Sequence, residues 1–478
     1  MSEAAVTRHD HWIDGRSTPP ASGGHLPTID PSTRLAGPSV AAGSPADVDR
    51  AVAAAQAAQP TWAASSAAER SAVLHRVADA MVAARTELID IERAGTGKTE
   101  AQLALEVDMS INYVRYYAGI IRTMHGRTID QGGGNHTYTR LEPYGVVAII
   151  TPWNLPLNQA CRAVAPALAA GNAVIAKPSE FTSLSTLRMA QLATEAGLPD
   201  GLFNVVTGSG PDVGSPLAVH PAVRRVAFTG SVATGRLLGR LAADRLIPLG
   251  LELGGKSPLV TFADADLDAV VAAAANVVAF NSGQVCSATT RLLVEESVHD
   301  EVVARVVERV AAMQPGRDYG PMITEGQYRK VLEYFDIARD EGAVPAVGGA
   351  AVTDGHAAGG LFVQPTVYPR VRADMRIARE EIFGPVLVTM AFRDEAEALA
   401  MANDTEYGLV ASVWSGDVAR GLRLAERIDA GQVAVNGGAL TIETPFGGYK
   451  ASGHGREKGV EALHDYTQVK TVSLSIKG

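Results

Sequence analysis

Gly145-Val146-Val147-Ala148-Ile149-Ile150 is an apolar run with no polar residue to turn towards water. Strict alternation would mark a strand wetted on one face. A continuous run marks a strand buried on both faces, the habit of parallel sheets. The segments that follow repeat the theme: Asn158 to Ala170 reads as helix, Ala173 to Ala176 as strand and Ser183 to Ala196 as helix. Phe203 to Val206 and Arg225 to Phe228 read as strands, Gly230 to Ala243 as helix and Ile247 to Leu251 as strand. Short apolar strands alternating with amphipathic helices are the sequence form of a doubly wound α/β sheet. Ligands of such sheets sit beyond the carboxyl ends of the strands. Asn154, Lys177, Thr229-Gly230-Ser231 and Glu252 each follow a predicted strand, so they are the first candidates for a site.

Upstream, Ser44-Pro45-Ala46-Asp47 has the form of a helix start, with Ser at the cap and Pro in the first turn. Ala-rich helical sequence then runs to about Gly95, and a further helix from Glu100 to about Ile121. The first forty residues read as irregular structure with short strands, and His9 and His11 are expected in a mobile terminus. Downstream, a second alternating α/β region extends from about Lys256 to about Gly448. His136 to Leu141 and Thr467 to Ser475 alternate with period two, as exposed ribbons do. A terminal edge strand is a ready template for pairing with another subunit.

A chain of 478 residues is long enough for two or three domains with ample core. Its net charge of −10 argues against a nucleic-acid backbone as partner. Two cysteines make no disulfide framework, which suits a reducing cytoplasm. Met1 through Asp10 lacks the basic-then-apolar pattern of a signal peptide. The longest apolar stretch, Ala269 to Phe280, suits a buried helix and falls short of the roughly 18 residues of a membrane span. The 11 histidines include no pair with ligand spacing beside a cysteine or carboxylate cluster, so no metal is expected.

Three stretches resemble phosphate loops. Gly208-Ser209-Gly210-Pro211-Asp212-Val213-Gly214 is one residue off the dinucleotide fingerprint and reads as a turn. Gly250 to Ser257 matches the P-loop pattern, but Pro258 and the strand-like Leu259-Val260-Thr261-Phe262 follow where a helix must open. In Phe228-Thr229-Gly230-Ser231-Val232-Ala233-Thr234-Gly235, Thr229 or Ser231 can cap a helix, and the glycines admit a diphosphate to its N-terminus. Finally, Asn281-Ser282-Gly283-Gln284-Val285-Cys286-Ser287 carries a cysteine just after a glycine. Such a cysteine is either a small buried hydrophobe or a strong nucleophile with open access to its backbone.

The ordered set Thr151-Pro152-Trp153-Asn154, Lys177-Pro178-Ser179-Glu180, Phe228-Thr229-Gly230-Ser231, Leu251-Glu252-Leu253-Gly254-Gly255-Lys256, Gly283-Gln284-Val285-Cys286, Glu381-Ile382-Phe383-Gly384-Pro385 and Pro445-Phe446-Gly447-Gly448 resembles the aldehyde dehydrogenase superfamily, over nearly the whole chain. The resemblance implies an α/β fold with a Rossmann-like doubly wound cofactor domain, a second α/β catalytic domain and a small β oligomerisation arm. By that reading residues 1–124 and 144–253 bind NAD, 254–450 form the catalytic domain, and 125–143 with 451–478 form the arm of a homodimer or homotetramer.

It also implies roles. Cys286 would attack the aldehyde carbon, with the Asn154 amide and the Cys286 N–H stabilising the oxyanion. Glu252 would activate the water that cleaves the thioester. Relatives that pass the acyl group to coenzyme A generally lack a Glu there, so its presence favours hydrolysis to the free acid. Along the cofactor would lie Ile150, Thr151, Pro152, Trp153, Lys177, Ser179, Glu180, Gly210, Phe228, Thr229, Gly230, Ser231, Gly235, Leu253, Gly254, Glu381 and Phe383. A carboxylate at Glu180 can accept from both ribose hydroxyls and repel a 2′-phosphate, which favours NAD over NADP. Leu155, Arg162, Val285, Leu440 and Phe446 would border the aldehyde, and Arg162 would meet a carboxylate or other polar tail unless a structural Glu or Asp claims it. The competing readings are an NADP-dependent, semialdehyde-specific or coenzyme A-acylating relative, and a non-catalytic binding protein on the same fold.

Overall fold

The computed structural model describes residues 7–476; residues 1–6, over which a signal-peptide pattern was sought, and 477–478 lie outside the described residues. Val146–Ile150 (β1), Ala173–Lys177 (β2), Phe203–Val205 (β3), Val223–Thr229 (β4) and Leu249–Glu252 (β5) form a parallel sheet in the order β5-β4-β1-β2-β3. Every residue of β1 and β2 is buried, as the unbroken apolar runs require. The strand order reverses between β1 and β4, so a crevice opens where those two strands end.

The N-terminal Ala-rich region is three helices, Pro45–Ala64, Ala67–Ala83 and Arg85–Thr96. The second begins at a capping box in which Ser66 and Glu69 satisfy each other's backbone N–H groups. His11 is no part of a mobile terminus. It is buried in the strand His11–Ile13, which extends the first sheet antiparallel to β3, and its Nδ1 accepts from Thr207 N–H at 3.2 Å. Three residues, His11-Trp12-Ile13, are too few to reveal a strand by periodicity.

The chain passes directly from β5 through Leu253–Ser257 into a second, wholly parallel sheet. Its strands are Pro258–Thr261 (β6), Arg291–Glu295 (β7), Thr366–Tyr368 (β8), Val386–Phe392 (β9), Val410–Trp414 (β10) and Gln432–Val435 (β11). They lie in the order β8-β9-β7-β6-β10-β11. The P-loop look-alike thus spans the link between sheets, and Lys256 leads into a strand. The first sheet ends its strands at this junction and the second begins its strands there, so loops of both converge on one cleft. Asn135–Pro143 pairs antiparallel with Thr467–Ser475 to build the ribbon. Residues 451–466 do not join it: Gly453–His454 pairs with Leu251–Glu252, and Ala462, Leu463 and Tyr466 are buried in the first core. Among the described residues no helix is long and apolar enough to cross a membrane, and no group of three or more His, Cys, Asp or Glu could hold a metal.

Candidate active site

After β1 the chain runs Thr151 to Asn154 and then enters the helix Pro156–Ala169, all fourteen residues of which are buried. After β4, Gly230 N–H donates to Glu252 O at 3.0 Å, and Ser231 caps the helix Val232–Arg245 by accepting from Thr234 N–H at 3.2 Å. That helix therefore points its positive end at the cleft.

The cysteine loop is shaped by three consecutive residues in the left-handed region: Asn281 (φ +47°), Ser282 (φ +51°) and Gly283 (φ +70°). Two of them are not glycine, a costly backbone held by a dense set of bonds. Asn281 Nδ2 donates to Asn154 O at 2.9 Å and to Gln284 O at 3.0 Å. Ser282 Oγ donates to Gly320 O at 2.6 Å. Gln284 Nε2 donates to Asn281 O and Pro321 O, and its Oε1 accepts from Ile323 N–H at 2.9 Å. A Cβ on Gly283 would run into the Gly384 carbonyl. Gly283→Ala is therefore expected to cost about 2–4 kcal/mol, the scale of overpacking plus a left-handed alanine. Urea unfolding measures it, and a loss near zero would show that the loop relaxes freely.

Pro152, Trp153, Asn154, Thr229, Gly230, Ser231, Glu252, Leu253, Gly254, Cys286, Glu381 and Phe383 all line one cleft. Asn154 Nδ2 donates to Gln284 O at 2.9 Å, which uses one of its two hydrogens and leaves the other for a ligand. Glu252 is buried, and neither of its carboxylate oxygens has a hydrogen-bond partner among the described residues. Burial, then the nearby Glu457, push its carboxyl well above the usual range, while Arg162 pulls the other way. Burial likewise pushes the Cys286 thiol up to about 11, against the Arg162 guanidinium. The Glu381 carboxyl is raised by burial and steadied by the Gly255 N–H at 3.0 Å. Trp153 and Phe383 meet edge to face at 5.5 Å between centroids.

Residues 18–472 match the aldehyde dehydrogenase family. The chain belongs to that family. A putative aldehyde dehydrogenase of Burkholderia cenocepacia is 39% identical and superposes with a TM-score of 0.97 over 99% of this chain and 98% of its own. The betaine aldehyde dehydrogenase of Staphylococcus aureus, solved with NAD+ and a BME-modified cysteine, is 36% identical, with a TM-score of 0.96 and coverage of 98% and 96%. HpcC of Thermus thermophilus is 38% identical, with a TM-score of 0.96 and coverage of 98% and 94%.

Other residues expected at the site of this aldehyde dehydrogenase family member lie outside the cleft's inner lining. Lys177 and Glu180 pair at 3.2 Å past the end of β2, and Ser179 is buried beside them. Ile150, Thr151 and Phe228 are buried at the strand ends. Gly235 lets its helix approach Leu253, where a Cβ would stand 2.8 Å from a methyl carbon. Gly210 opens a π-helical turn capped by Ser209. On the aldehyde side, Leu155 and Val285 are half-buried, Phe446 is buried with Leu409 and Val410 in a small cluster against which Cys286 packs, and Leu440 sits on an exposed loop. The polar tail expected to meet Arg162 has a competitor: Arg162 Nε donates to Glu457, and its guanidinium lies 4.3 Å from the Phe446 ring centroid. Glu457 carried no signal in the sequence, since its partner is distant along the chain. Gln327 and Lys330 also line the cleft. Gln327 Nε2 donates to the Ile382 and Phe383 carbonyls, and Lys330 Nζ to Glu381 O, all at 2.9 Å. Their i, i+3 spacing on the helix Glu325–Asp340 was the available clue.

Proposed function

We propose that this chain oxidises an aldehyde to the free carboxylic acid with NAD, through Cys286 as nucleophile, Asn154 in the oxyanion hole and Glu252 as base. The observation that carries the reading is the convergence of a thiol, a partnerless buried carboxylate and a half-satisfied amide in one cleft beside a helix N-terminus. The residues present fit a dinucleotide. Gly230 and Ser231 open the helix end to a diphosphate, the Thr151 hydroxyl is buried without a partner, and the Lys177–Glu180 pair stands where a ribose would lie. Bound NAD supplies the hydride acceptor, a role it has the chance to fill in the NAD+-bound staphylococcal relative.

The chain's own residues do the rest. The Cys286 thiolate forms a bond to the carbonyl carbon, and the oxygen gains the negative charge. The free N–H of Asn154 meets that oxygen, so donation strengthens as charge develops. Once hydride has left the carbon, the acyl group is held as a thioester on Cys286. Glu252 takes a proton from water as the water oxygen bonds to the acyl carbon, and the carbon–sulfur bond breaks to release the acid and return the thiolate.

NADH formation with an aldehyde panel tests the reading, with NADP and coenzyme A as alternative acceptors. Free acid formed without coenzyme A is the expected result, and turnover that requires coenzyme A would overturn the hydrolytic step. Asn154→Ala is expected to lower kcat by about 10²-fold, the scale for one oxyanion donor. A rise in KM alone would remove Asn154 from the transition state.

A further inference from the structure

Residues 457–459 lie beside Phe446 and are pinned from three directions. Phe446 N–H donates to Glu457 O at 2.6 Å and Glu457 N–H to Phe446 O at 2.8 Å. Gly459 N–H donates to Ile442 O at 2.9 Å, and the Tyr117 hydroxyl to Gly459 O at 3.3 Å. Between these anchors Lys458 is held at φ +59°, a conformation an L side chain rarely takes. Its side chain folds back over Phe446, one of three residues of the apolar cluster against which Cys286 packs: Nζ lies 5.2 Å from the Phe446 centroid.

Phe446 therefore carries two cations, and they differ in one respect. Arg162 has Glu457 as its carboxylate. Lys458 is half-buried, yet among the described residues its ammonium meets no carboxylate within ion-pair distance and no hydrogen-bond acceptor. The nearest carboxylate along the chain is already engaged by Arg162. Burial and the Arg162 charge bring the Lys458 ammonium down to about 8, while Cys286, Glu457 and Glu252 favour its charge. With the thiol and the Glu252 carboxyl both raised towards their neutral forms, the group holds two cations against one committed anion. A half-buried excess charge of that kind is a favourable place for an anion.

We propose that Lys458 receives an anionic group on the substrate, so that the preferred aldehyde carries a carboxylate a short chain away from its carbonyl. This rests on the oxidative reading above, and it adds Lys458 to Arg162, whose Nε is taken by Glu457 while its Nη2 is buried without a hydrogen-bond partner among the described residues.

The test compares succinic semialdehyde with butanal on the NAD-loaded enzyme, in wild type, Lys458→Met and Lys458→Arg. In Lys458→Met the ratio of kcat/KM for the acidic over the neutral aldehyde is expected to fall about 30-fold, mostly through KM, the scale of a charge-assisted hydrogen bond. Lys458→Arg, which restores the charge, is expected to keep most of the ratio. An unchanged ratio in Lys458→Met, with both substrates slowed alike, would overturn the proposal and make Lys458 a helper of the thiol. A second arm needs no turnover. Iodoacetate and iodoacetamide both alkylate Cys286, forming a sulfur–carbon bond and expelling iodide, but only one is an anion. The rate ratio of the two is expected to drop about tenfold in Lys458→Met, and an equal ratio in both proteins would overturn the proposal. Should no aldehyde be oxidised at all, the functional reading fails while this arm still decides the role of Lys458.

Discussion

Glu252→Gln is expected to stop the enzyme after a single turnover. The amide matches the carboxylate in size, and both carboxylate oxygens lack partners in the resting site, so the substitution breaks no bond of the fold. Gly447 stands against the same group, where a Cβ would approach Glu252 Oε1 to 2.8 Å, so the site has little room for any larger replacement. At alkaline pH, where solvent hydroxide takes the thiol proton, attack by Cys286 and hydride loss need no base at residue 252, and they should proceed. Hydrolysis does need one, and among the described residues no other partnerless carboxylate lines the cleft. The steady rate should drop by about 10³–10⁴-fold, the upper range for removal of a general base. A burst of NADH equal to the enzyme should remain, with an acyl mass retained on Cys286. The pH dependence has a definite sign. A carboxyl raised well above its usual value is protonated as pH falls through that raised value, so wild-type hydrolysis weakens on the acidic side long before an ordinary Glu would titrate. Glu252→Gln should lack that limb. A burst that shrinks in step with the steady rate would place Glu252 before the thioester, on the thiol.

How far the sequence reaches depends on the range of the signal. β1 and β2 were legible because burial on both faces leaves no polar position to confuse the period, and Ser231 was legible because a cap acts within three residues. The carboxyl-end rule then assigns Asn154, Thr229 and Glu252 to one crevice from the sequence alone. The failures share a cause of the opposite kind. Gly453–His454 is two residues long, so its pairing with Leu251–Glu252 leaves no pattern, and 451–466 read as part of the arm. Arg162 and Glu457 meet across 295 residues. The left-handed turn at Asn281 and Ser282 is imposed by bonds to Asn154, Gly320 and Pro321, and nothing local announces it. Local chemistry was readable, and the charge distribution around the aldehyde was not, because it is assembled entirely from distant pieces.

Cys286→Ser is expected to abolish turnover, a loss of about 10⁵-fold or more, as for removal of a nucleophile that acts as one unit with its neighbours. A serine hydroxyl fits the same space, but its proton is far harder to remove, and among the described residues no histidine lines the cleft to help. NAD binding should persist, since the residues fitted to the dinucleotide are untouched, and fluorescence titration measures that. The wild-type thiol supplies the complementary experiment. Held up to about 11 by burial, it is neutral at pH 7, so alkylation by iodoacetamide should accelerate about tenfold per pH unit across the neutral and mildly alkaline range. Only one sulfur should be modified. Cys161 is fully buried, lies 3.5 Å from the Met189 sulfur, and has a thiol that burial raises well above its usual value. Arg162 is the largest influence holding the Cys286 value down. Arg162→Lys should therefore leave the alkylation profile nearly in place, whereas loss of the charge should displace it to higher pH. A flat profile across neutral pH would mean that the resting thiolate already exists. The activating charge would then lie closer to the sulfur than the Arg162–Glu457 pair allows.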